Sequence, residues 1–246
     1  MSNSPQNHVN LARHTVYEFA LTAALLFIVV SFIRWTALPS SPLVISDPDI
    51  LFAAAGVAIA TLIVVAMHSP LGRASGGHLH PGVTVFLWSS GLFPRRAVLP
   101  YVAAQLAGSL IGAGLAGLAW GEATGQVGYG AIQPRAGMHE ATLFIIESST
   151  IAAVFVLVAL VMTKPRFQNA IPAVIGVSVG INIAVLGSLT GASINPARAF
   201  GPAVFSETYE YFWTYMIAPV LAPVLVGLIN RAVIKRRAST AQATEA

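Results

Sequence analysis

The side chains in this chain that could bind a solute or transfer a proton are few, and most of them stand between strongly apolar segments. Two stretches hold them: SGGHLHPGVTV at 75–85 contains two histidines, and TGASINPARAF at 190–200 contains an asparagine and an arginine. A neutral imidazole and a carboxamide each offer a donor and an acceptor for hydrogen bonds. Such groups can recognise a small, polar, uncharged molecule, and we find no nucleophile–base pair that would indicate an enzyme.

A metal site is the second kind of chemistry to weigh. His68, His78 and His80 lie close in sequence and could bind zinc, but no acid or thiolate lies near them, and the chain has no cysteine. We therefore predict neither a metal nor another cofactor. His68 is expected to be a solvated loop residue, although a role in sensing pH stays open.

The two polar stretches are copies of one pattern at a constant offset of 115 residues. The aligned pairs are His80 with Asn195, Pro81 with Pro196, and Gly82 with Ala197. Each copy follows two apolar segments and precedes a third. Because three membrane spans per half is an odd number, the halves must have opposite orientations. Inverted repeats with interrupted helices place their site near the middle of the membrane.

The composition indicates that membrane-spanning helices position these residues. The 246 residues are 56% hydrophobic and only 9% charged, whereas a soluble domain has about 25% charged residues. A helix needs roughly 20 apolar residues to cross a bilayer, and six segments qualify: about 15–33, 50–67, 98–120, 141–163, 171–189 and 211–231. We predict an all-α membrane protein of six transmembrane helices and two re-entrant half-helices, at about 80–90 and 195–205, in inverted three-helix repeats around a pore.

The distribution of basic residues predicts that both termini lie in the cytoplasm. The stretches placed inside by this orientation hold Arg13, Arg73, Arg95, Arg96, Lys164, Arg166, Arg231, Lys235, Arg236 and Arg237. The outer loops hold Arg34 and Arg135. Residues 1–12 lack the form of a cleaved signal peptide, so the first apolar segment is expected to be retained. We expect a multi-pass protein of the inner (plasma) membrane whose basic tail is an orientation signal and not a nucleic-acid site.

Each half-helix has a proline at its start, and this predicts how that start is built. Pro81 and Pro196 suit the first helical position, which makes the preceding His80 and Asn195 the N-caps. Two helix N-termini that meet at the middle of a membrane place two positive dipole ends face to face. This arrangement repels cations and protons and offers hydrogen-bond donors to a neutral solute, as a pore for water or small alcohols requires.

These residues resemble the aquaporin and glycerol-facilitator family, the major intrinsic proteins, whose signature is two Asn-Pro-Ala motifs on half-helices. The second copy here, TGASINPARAFGPAV at 190–204, is a close match, and the likeness covers about residues 14–233. It implies one transmembrane channel domain, 1–246, with repeats at about 14–120 and 141–233. It also implies a homotetramer in the lipid bilayer, with one pore per subunit.

Four further residues stand where the family places residues that support the loops: Glu18, Glu147, His78 and Gln105. Glu18 and Glu147 lie within apolar spans of opposite halves. We expect them to accept hydrogen bonds from the backbone of the re-entrant loops and not to act as a catalytic acid and base. His78 is expected to be a hydrogen-bonding loop residue that also lines the pore.

The first motif departs from the family pattern, because it reads His-Pro-Gly. We expect His80 to be neutral at pH 7, with one ring nitrogen accepting from the half-helix backbone and the other donating into the pore. Gly82 is expected to supply space for the larger ring. Two alternatives stay open: the pore has lost conduction, or protonation of His80 gates it.

The narrowest zone in the family uses four positions. The resemblance assigns them here to Arg198, Ala192, Ile183 and, on the second span, Ala55 or Ala60. An arginine at membrane depth is functional by default. The aromatic residue and the histidine of water-selective members do not appear at these positions. We therefore expect an opening that passes water with small uncharged solutes: glycerol, urea, or metalloid acids such as boric and arsenous acid.

Two other functions stay open. A secondary transporter can also be built from inverted repeats, and flux that saturates and requires an ion gradient would indicate one. A strictly water-selective pore is the other alternative.

Aromatic residues near the span ends are expected to form a belt at the membrane interface. They are Trp35, Tyr101, Trp120, Tyr211, Trp213 and Tyr215. Trp88 lies in the first half-helix instead and is expected to pack inside.

Overall fold

The computed structural model describes residues 5–245, so residues 1–4 and 246 of the predicted channel domain lie outside the described chain. The α-helices are α1 (Pro5–Ala37), α2 (Pro48–His68), α3 (Pro70–Ser75), α4 (Pro81–Ser89), α5 (Arg95–Trp120), α6 (Glu122–Gln126), α7 (Glu140–Met162), α8 (Ile171–Thr190), α9 (Pro196–Ser206) and α10 (Phe212–Glu245). Two 3-10 helices lie at Gly128–Gly130 and Pro165–Ala170. The prediction of an all-α membrane protein is confirmed.

Six of the described helices are long and apolar enough to cross a membrane: α1, α2, α5, α7, α8 and α10. Each coincides with one of the six segments predicted from the sequence. The first and last are longer than predicted, since α1 continues to Ala37 and α10 continues to Glu245. The short helices α4 and α9 begin at Pro81 and Pro196, as predicted.

A short helix, α3, occupies the segment before the first half-helix, where a loop was expected. It begins with Pro70, and the Ser69 hydroxyl accepts a hydrogen bond from the Gly72 N–H at 3.0 Å. His68 ends α2, and its ring Nδ1 donates to the Val64 carbonyl at 2.8 Å. The expectation that His68 is a loop residue is therefore wrong, although its side chain is exposed.

Glycines bring pairs of spanning helices close together. Between α2 and α8, a Cβ atom on Gly56 would collide with the Gly180 carbonyl, and between α1 and α5 one on Gly112 would collide with the Ala23 carbonyl. Small residues at such contacts let membrane helices approach closely, which is how they pack without a hydrophobic driving force between them.

Each half-helix packs against the third span of the opposite half: α4 against α10, and α9 against α5. A glycine admits a backbone carbonyl at both contacts, Gly82 for Pro219 and Gly201 for Ser109. The Ser109 hydroxyl accepts from the Gly201 N–H at 2.8 Å and donates to the Ala197 carbonyl. It is thereby inserted into a helical turn of α9. The two halves interlock through these contacts, which hold the half-helices in place.

The expectation that Trp88 packs inside is wrong, because its side chain is 37% exposed. The packed face of α4 belongs to Phe86, whose ring centroid lies 4.8 Å from that of Phe155. Residues two apart on a helix point in different directions, so the burial of Phe86 turns Trp88 outward.

Candidate functional site

His80 and Asn195 cap the two half-helices in the same way. Both have extended backbone, with φ of −156° and −138°. Nδ1 of His80 accepts from the Gly82 N–H at 2.8 Å, and Oδ1 of Asn195 accepts from the Ala197 N–H at 2.9 Å. Each side chain thus satisfies one of the free N–H groups of a first helical turn, which typically stabilises a helix by about 1 kcal/mol.

Each cap also bonds to the loop of the opposite half. Nε2 of His80 donates to the Ile194 carbonyl at 2.7 Å, and Nδ2 of Asn195 donates to the Leu79 carbonyl at 3.2 Å. Because Nδ1 of His80 accepts, the proton of the ring lies on Nε2. The expectation that this nitrogen donates into the pore is wrong, since the opposite loop engages it. The Asn195 carboxamide has a second N–H, which the imidazole lacks.

Gly82 and the ring of His80 share one small space. A Cβ atom at position 82 would lie 2.6 Å from Cε1 of His80 and would also collide with the Pro219 carbonyl oxygen. Glycine therefore leaves room for the imidazole and for the close approach of α10.

Glu18 is fully buried and accepts four hydrogen bonds at the first re-entrant loop, two of them from backbone N–H groups of the loop itself. Its Oε1 accepts from the Ser75 hydroxyl at 2.7 Å and from the His78 N–H at 2.9 Å. Its Oε2 accepts from the Leu79 N–H at 2.8 Å and from the Gln105 amide at 2.9 Å. All four partners are donors, so the carboxylate serves as the acceptor around which the loop is folded.

Glu147 and His78 also support the loops. Oε2 of Glu147 accepts from the Ile194 N–H at 2.8 Å, in the second half of the chain. In the first half, Nδ1 of His78 lies 3.0 Å from the Thr84 hydroxyl, and its ring centroid lies 4.9 Å from that of Phe93. His78 is therefore held on two sides while it lines the cavity described below.

Two tyrosines support the loops in a way that the sequence analysis missed. The Tyr101 hydroxyl donates to the Ser75 carbonyl at 2.9 Å, and the Tyr215 hydroxyl donates to the Thr190 carbonyl at 2.7 Å. Their side chains are 2% and 1% exposed, so the prediction that they belong to an interfacial belt is wrong. The internal repeat contained the signal, because the two tyrosines occupy nearly equivalent positions in the third span of each half.

A cavity of about 530 Å³ follows the two re-entrant loops. One side is formed by residues 77–80 and 191–195, which include both caps. The facing side is formed by apolar residues of α1, α2 and α8. Among the described residues that line it, Arg198 is the one with a permanent charge. The cavity therefore has a polar side and an apolar side along its length.

Four residues assigned to the narrowest zone line this cavity: Ala55, Ile183, Ala192 and Arg198. Nη2 of Arg198 donates to the Gly130 carbonyl at 2.7 Å, which fixes the guanidinium. Its Nη1 is buried and has no hydrogen-bond partner within the described chain.

The structure separates the two alternatives on α2 and adds an aromatic residue. Ala55 lines the cavity, whereas Ala60 faces α8, because a Cβ atom on Gly180 would lie 2.9 Å from that of Ala60. Phe52 also lines the cavity, about one turn from Ala55, and its ring packs against Gly187. The sequence analysis did not assign Phe52 to the cavity. The apolar residues on every side of α2 gave no signal for the direction of Phe52.

Comparison with known proteins gives matches over most of the chain. The model of the family described as Major intrinsic protein matches residues 5–230. A "Probable aquaporin AqpM" of Archaeoglobus fulgidus is 37% identical over 181 residues, which are 70% of this chain and 72% of the relative. A "Probable aquaporin NIP-type" of Nicotiana alata is 33% identical over 164 residues, which are 65% of this chain and 58% of the relative.

A solved structure shares the fold. The X-ray structure of the aquaglyceroporin from Plasmodium falciparum matches with a TM-score of 0.74 and 21% identity, over 91% of this chain and 97% of that one. Six spans, two half-helices and a cavity between them define a helical membrane channel. The chain belongs to the major intrinsic protein family. It is a channel of the aquaporin kind and not an enzyme.

Proposed function

We propose that this channel conducts small uncharged solutes as well as water, with glycerol, urea and metalloid acids such as boric or arsenous acid as candidate substrates. The observation that carries the proposal is the two-sided cavity wall. The small residues Ala55 and Ala192 leave room beside Arg198, and Ile183 supplies an apolar surface. A polyol can place hydroxyl groups on the loop side and carbon atoms on the apolar side.

The same geometry supports the exclusion of ions. The N-termini of α4 and α9 meet at the bonded caps His80 and Asn195, and each carries a partial positive charge. Arg198 adds a full positive charge to the cavity wall. A cation or a hydrated proton would have to pass these charges after losing water, which is costly in a narrow pore.

Light scattering from reconstituted vesicles tests the proposal. Purified protein in vesicles is exposed to osmotic gradients of an impermeant solute, glycerol, urea and boric acid, with empty vesicles as the control. We expect faster shrinkage for water and faster re-swelling for at least one of the three solutes, without an ion gradient. Accelerated water flux with solute flux at the level of empty vesicles would contradict the proposal.

A strictly water-selective channel is the second candidate, and Phe52 is the observation that favours it. Its aromatic ring lines the cavity on the α2 side, about one helical turn from Ala55, where a bulky group would exclude solutes larger than water. The vesicle experiment distinguishes the two candidates directly.

Replacement of Phe52 by alanine is expected to raise glycerol flux relative to water flux by roughly tenfold, the lower end of the discrimination that an apolar pocket achieves between solutes differing in size by one methylene group. The measurement is the ratio of the two permeabilities in the same vesicles. Phe167→Ala is the matched control, because Phe167 lies in the 3-10 helix Pro165–Ala170 and does not line the cavity. An unchanged ratio in Phe52→Ala would show that this ring does not limit solute passage.

We further propose that the channel is a homotetramer of the inner membrane with both termini in the cytoplasm. The family resemblance and the exposed apolar faces of α2 and α8, which include Val57, Val65 and Ile181, support the assembly. The excess of basic residues at the proposed inner ends of the spans supports the orientation. The mass of the detergent-solubilised protein tests the tetramer, and protease access to the basic tail in sealed vesicles tests the orientation.

A further inference from the structure

The starts of α4 and α9 leave few hydrogen-bond donors for a solute at the centre of the cavity, because their backbone donors are engaged within the chain. In α4, the Gly82 N–H bonds to the His80 side chain at 2.8 Å, and the Val83 N–H bonds to the His80 carbonyl at 3.1 Å. The equivalent two N–H groups of α9 bond to Asn195 in the same way. Each half-helix begins with a proline, which has no N–H. A solute at this level therefore depends on the two cap side chains.

The two cap side chains differ in what they can still offer. Nδ1 of His80 accepts from Gly82 and Nε2 donates to the Ile194 carbonyl, so the ring can present only carbon to the cavity. The Asn195 carboxamide has two N–H hydrogens. One bonds to the Leu79 carbonyl, and the other has no acceptor among residues 5–245. Since both caps line the cavity, the second half supplies a free donor at this level and the first half supplies none.

The polar side chains next to the caps do not replace the missing donor. The Ser193 hydroxyl donates to the Asn195 carbonyl at 3.4 Å, and this serine is 2% exposed. His78 and Arg198 lie two and three residues from the caps along the chain, so they meet a solute before or after the centre.

We propose that His80 sets the selectivity of the pore centre, because it leaves Asn195 as the one side-chain donor at this level of the described chain. A water molecule between the caps receives one N–H bond, where a second asparagine would supply two, and it otherwise contacts carbon. An unmade hydrogen bond is costly for a polar group away from bulk water. The centre is therefore a barrier to water.

A longer solute crosses the same level at a lower cost. A polyol can place a carbon atom against the imidazole edge while its hydroxyl groups bond to loop groups on either side of the centre. The caps therefore favour such a solute relative to water, to an extent that the side chain at position 80 controls. The solute half of this inference rests on the proposed function, whereas the effect on water does not.

His80→Asn tests the proposal, because asparagine can keep both bonds of the cap and still offer one N–H to the cavity. Water permeability per reconstituted protein is expected to rise about fivefold, the effect of one net hydrogen bond on a rate. The ratio of glycerol to water permeability should fall. Damage to the fold would lower water flux, so the expected rise has a sign that a merely structural role cannot give. Water permeability of folded His80→Asn at or below the wild-type level would overturn the proposal.

His139→Asn is the matched control, because it makes the same substitution at another helix start. His139 caps α7 by accepting from the Ala141 N–H at 3.3 Å, and it is exposed and does not line the cavity. Its water permeability and its ratio of glycerol to water permeability should equal those of the wild type.

A second variant tests the same inference in the opposite direction. Asn195→His with Ala197→Gly gives the second half the cap of the first and removes the remaining donor. Water permeability should fall about fivefold and the ratio of glycerol to water permeability should rise, whereas misfolding would lower both fluxes alike. Unchanged water permeability in this variant would overturn the proposal even if His80→Asn does not fold. A wild-type channel without glycerol flux would contradict the proposed function, and the water permeability of the two variants would then decide the role of His80.

Discussion

Glu18→Gln is expected to destabilise the channel by several kcal/mol and to remove most of its water flux. The wild-type carboxylate accepts four hydrogen bonds within a fully buried site. Glutamine replaces one of the two acceptor oxygens by a group that donates. Two of the four surrounding donors then face a donor.

The surrounding side chains cannot repair this conflict completely. If the new amide faces Leu79 and Gln105, Gln105 can flip and offer its Oε1, which lacks a partner in the wild type. The Leu79 N–H nevertheless loses its acceptor. If the amide faces Ser75 and His78 instead, the serine can rotate, but the His78 N–H loses its acceptor. Either way a buried backbone donor is left unsatisfied, at about 1–3 kcal/mol, and the remaining bonds lose their charge assistance.

The measurement is thermal unfolding in detergent together with water permeability per reconstituted protein. Glu122→Gln is the control, because Glu122 is exposed in the first turn of α6 and should tolerate the same change. The loss of stability and water flux in Glu147→Gln should be intermediate between those of Glu18→Gln and Glu122→Gln, since Glu147 accepts from the Ile194 N–H in the second loop. Wild-type stability of Glu18→Gln would mean that the first loop does not depend on this acceptor.

The spans, the half-helices and their caps could be predicted because they depend on short-range rules. Length and apolar composition define a span, and a proline with a preceding polar residue defines the start of a helix. The start of α4 at Pro81 and of α9 at Pro196 follows from the sequence alone. The repeat then indicates that two such starts meet, because the halves have opposite orientations.

Directions of side chains could not be predicted, because helices that are apolar on all sides carry no signal for which face is covered. Tyr101 and Tyr215 stand near span ends, as interfacial residues do, yet they point inward to the loops. Trp88 was expected inside and faces outward, and Phe52, for which no direction was predicted, lines the cavity. The second bond of His80 depends on the position of Ile194 in the other half, which only the folded chain supplies.

Gly82→Ala is expected to lower stability and water flux about as much as Glu18→Gln does. The cause is steric, since the substitution adds a carbon atom where none fits. The new Cβ would lie 2.6 Å from Cε1 of His80 and would collide with the Pro219 carbonyl of α10. Overpacking of this kind typically costs about 1–3 kcal/mol. Because His80 carries the hydrogen bond to Ile194, movement of its ring would also separate the two loops and lower water flux.

Addition of His80→Asn to Gly82→Ala should restore part of this loss. Asparagine at position 80 removes the ring that the new Cβ meets, and it can keep both hydrogen bonds of the cap. The second repeat supports this expectation. There Asn195 caps its helix and also donates to the Leu79 carbonyl, although the position equivalent to 82 is an alanine, Ala197. The collision with the Pro219 carbonyl remains, so recovery is expected to be incomplete.

A double-mutant cycle measures the shared space. Thermal unfolding and water flux are compared for the wild type, His80→Asn, Gly82→Ala and the double variant. Residues in contact typically couple by about 0.5–3 kcal/mol, and we expect the double variant to be more stable than the sum of the single effects. Gly125→Ala is the control, because no atom beyond its chain neighbours and its own helical turn lies within 4 Å of the position that its Cβ would take. Strict additivity would show that position 82 is glycine because of α10 alone and that the imidazole of His80 needs no additional room.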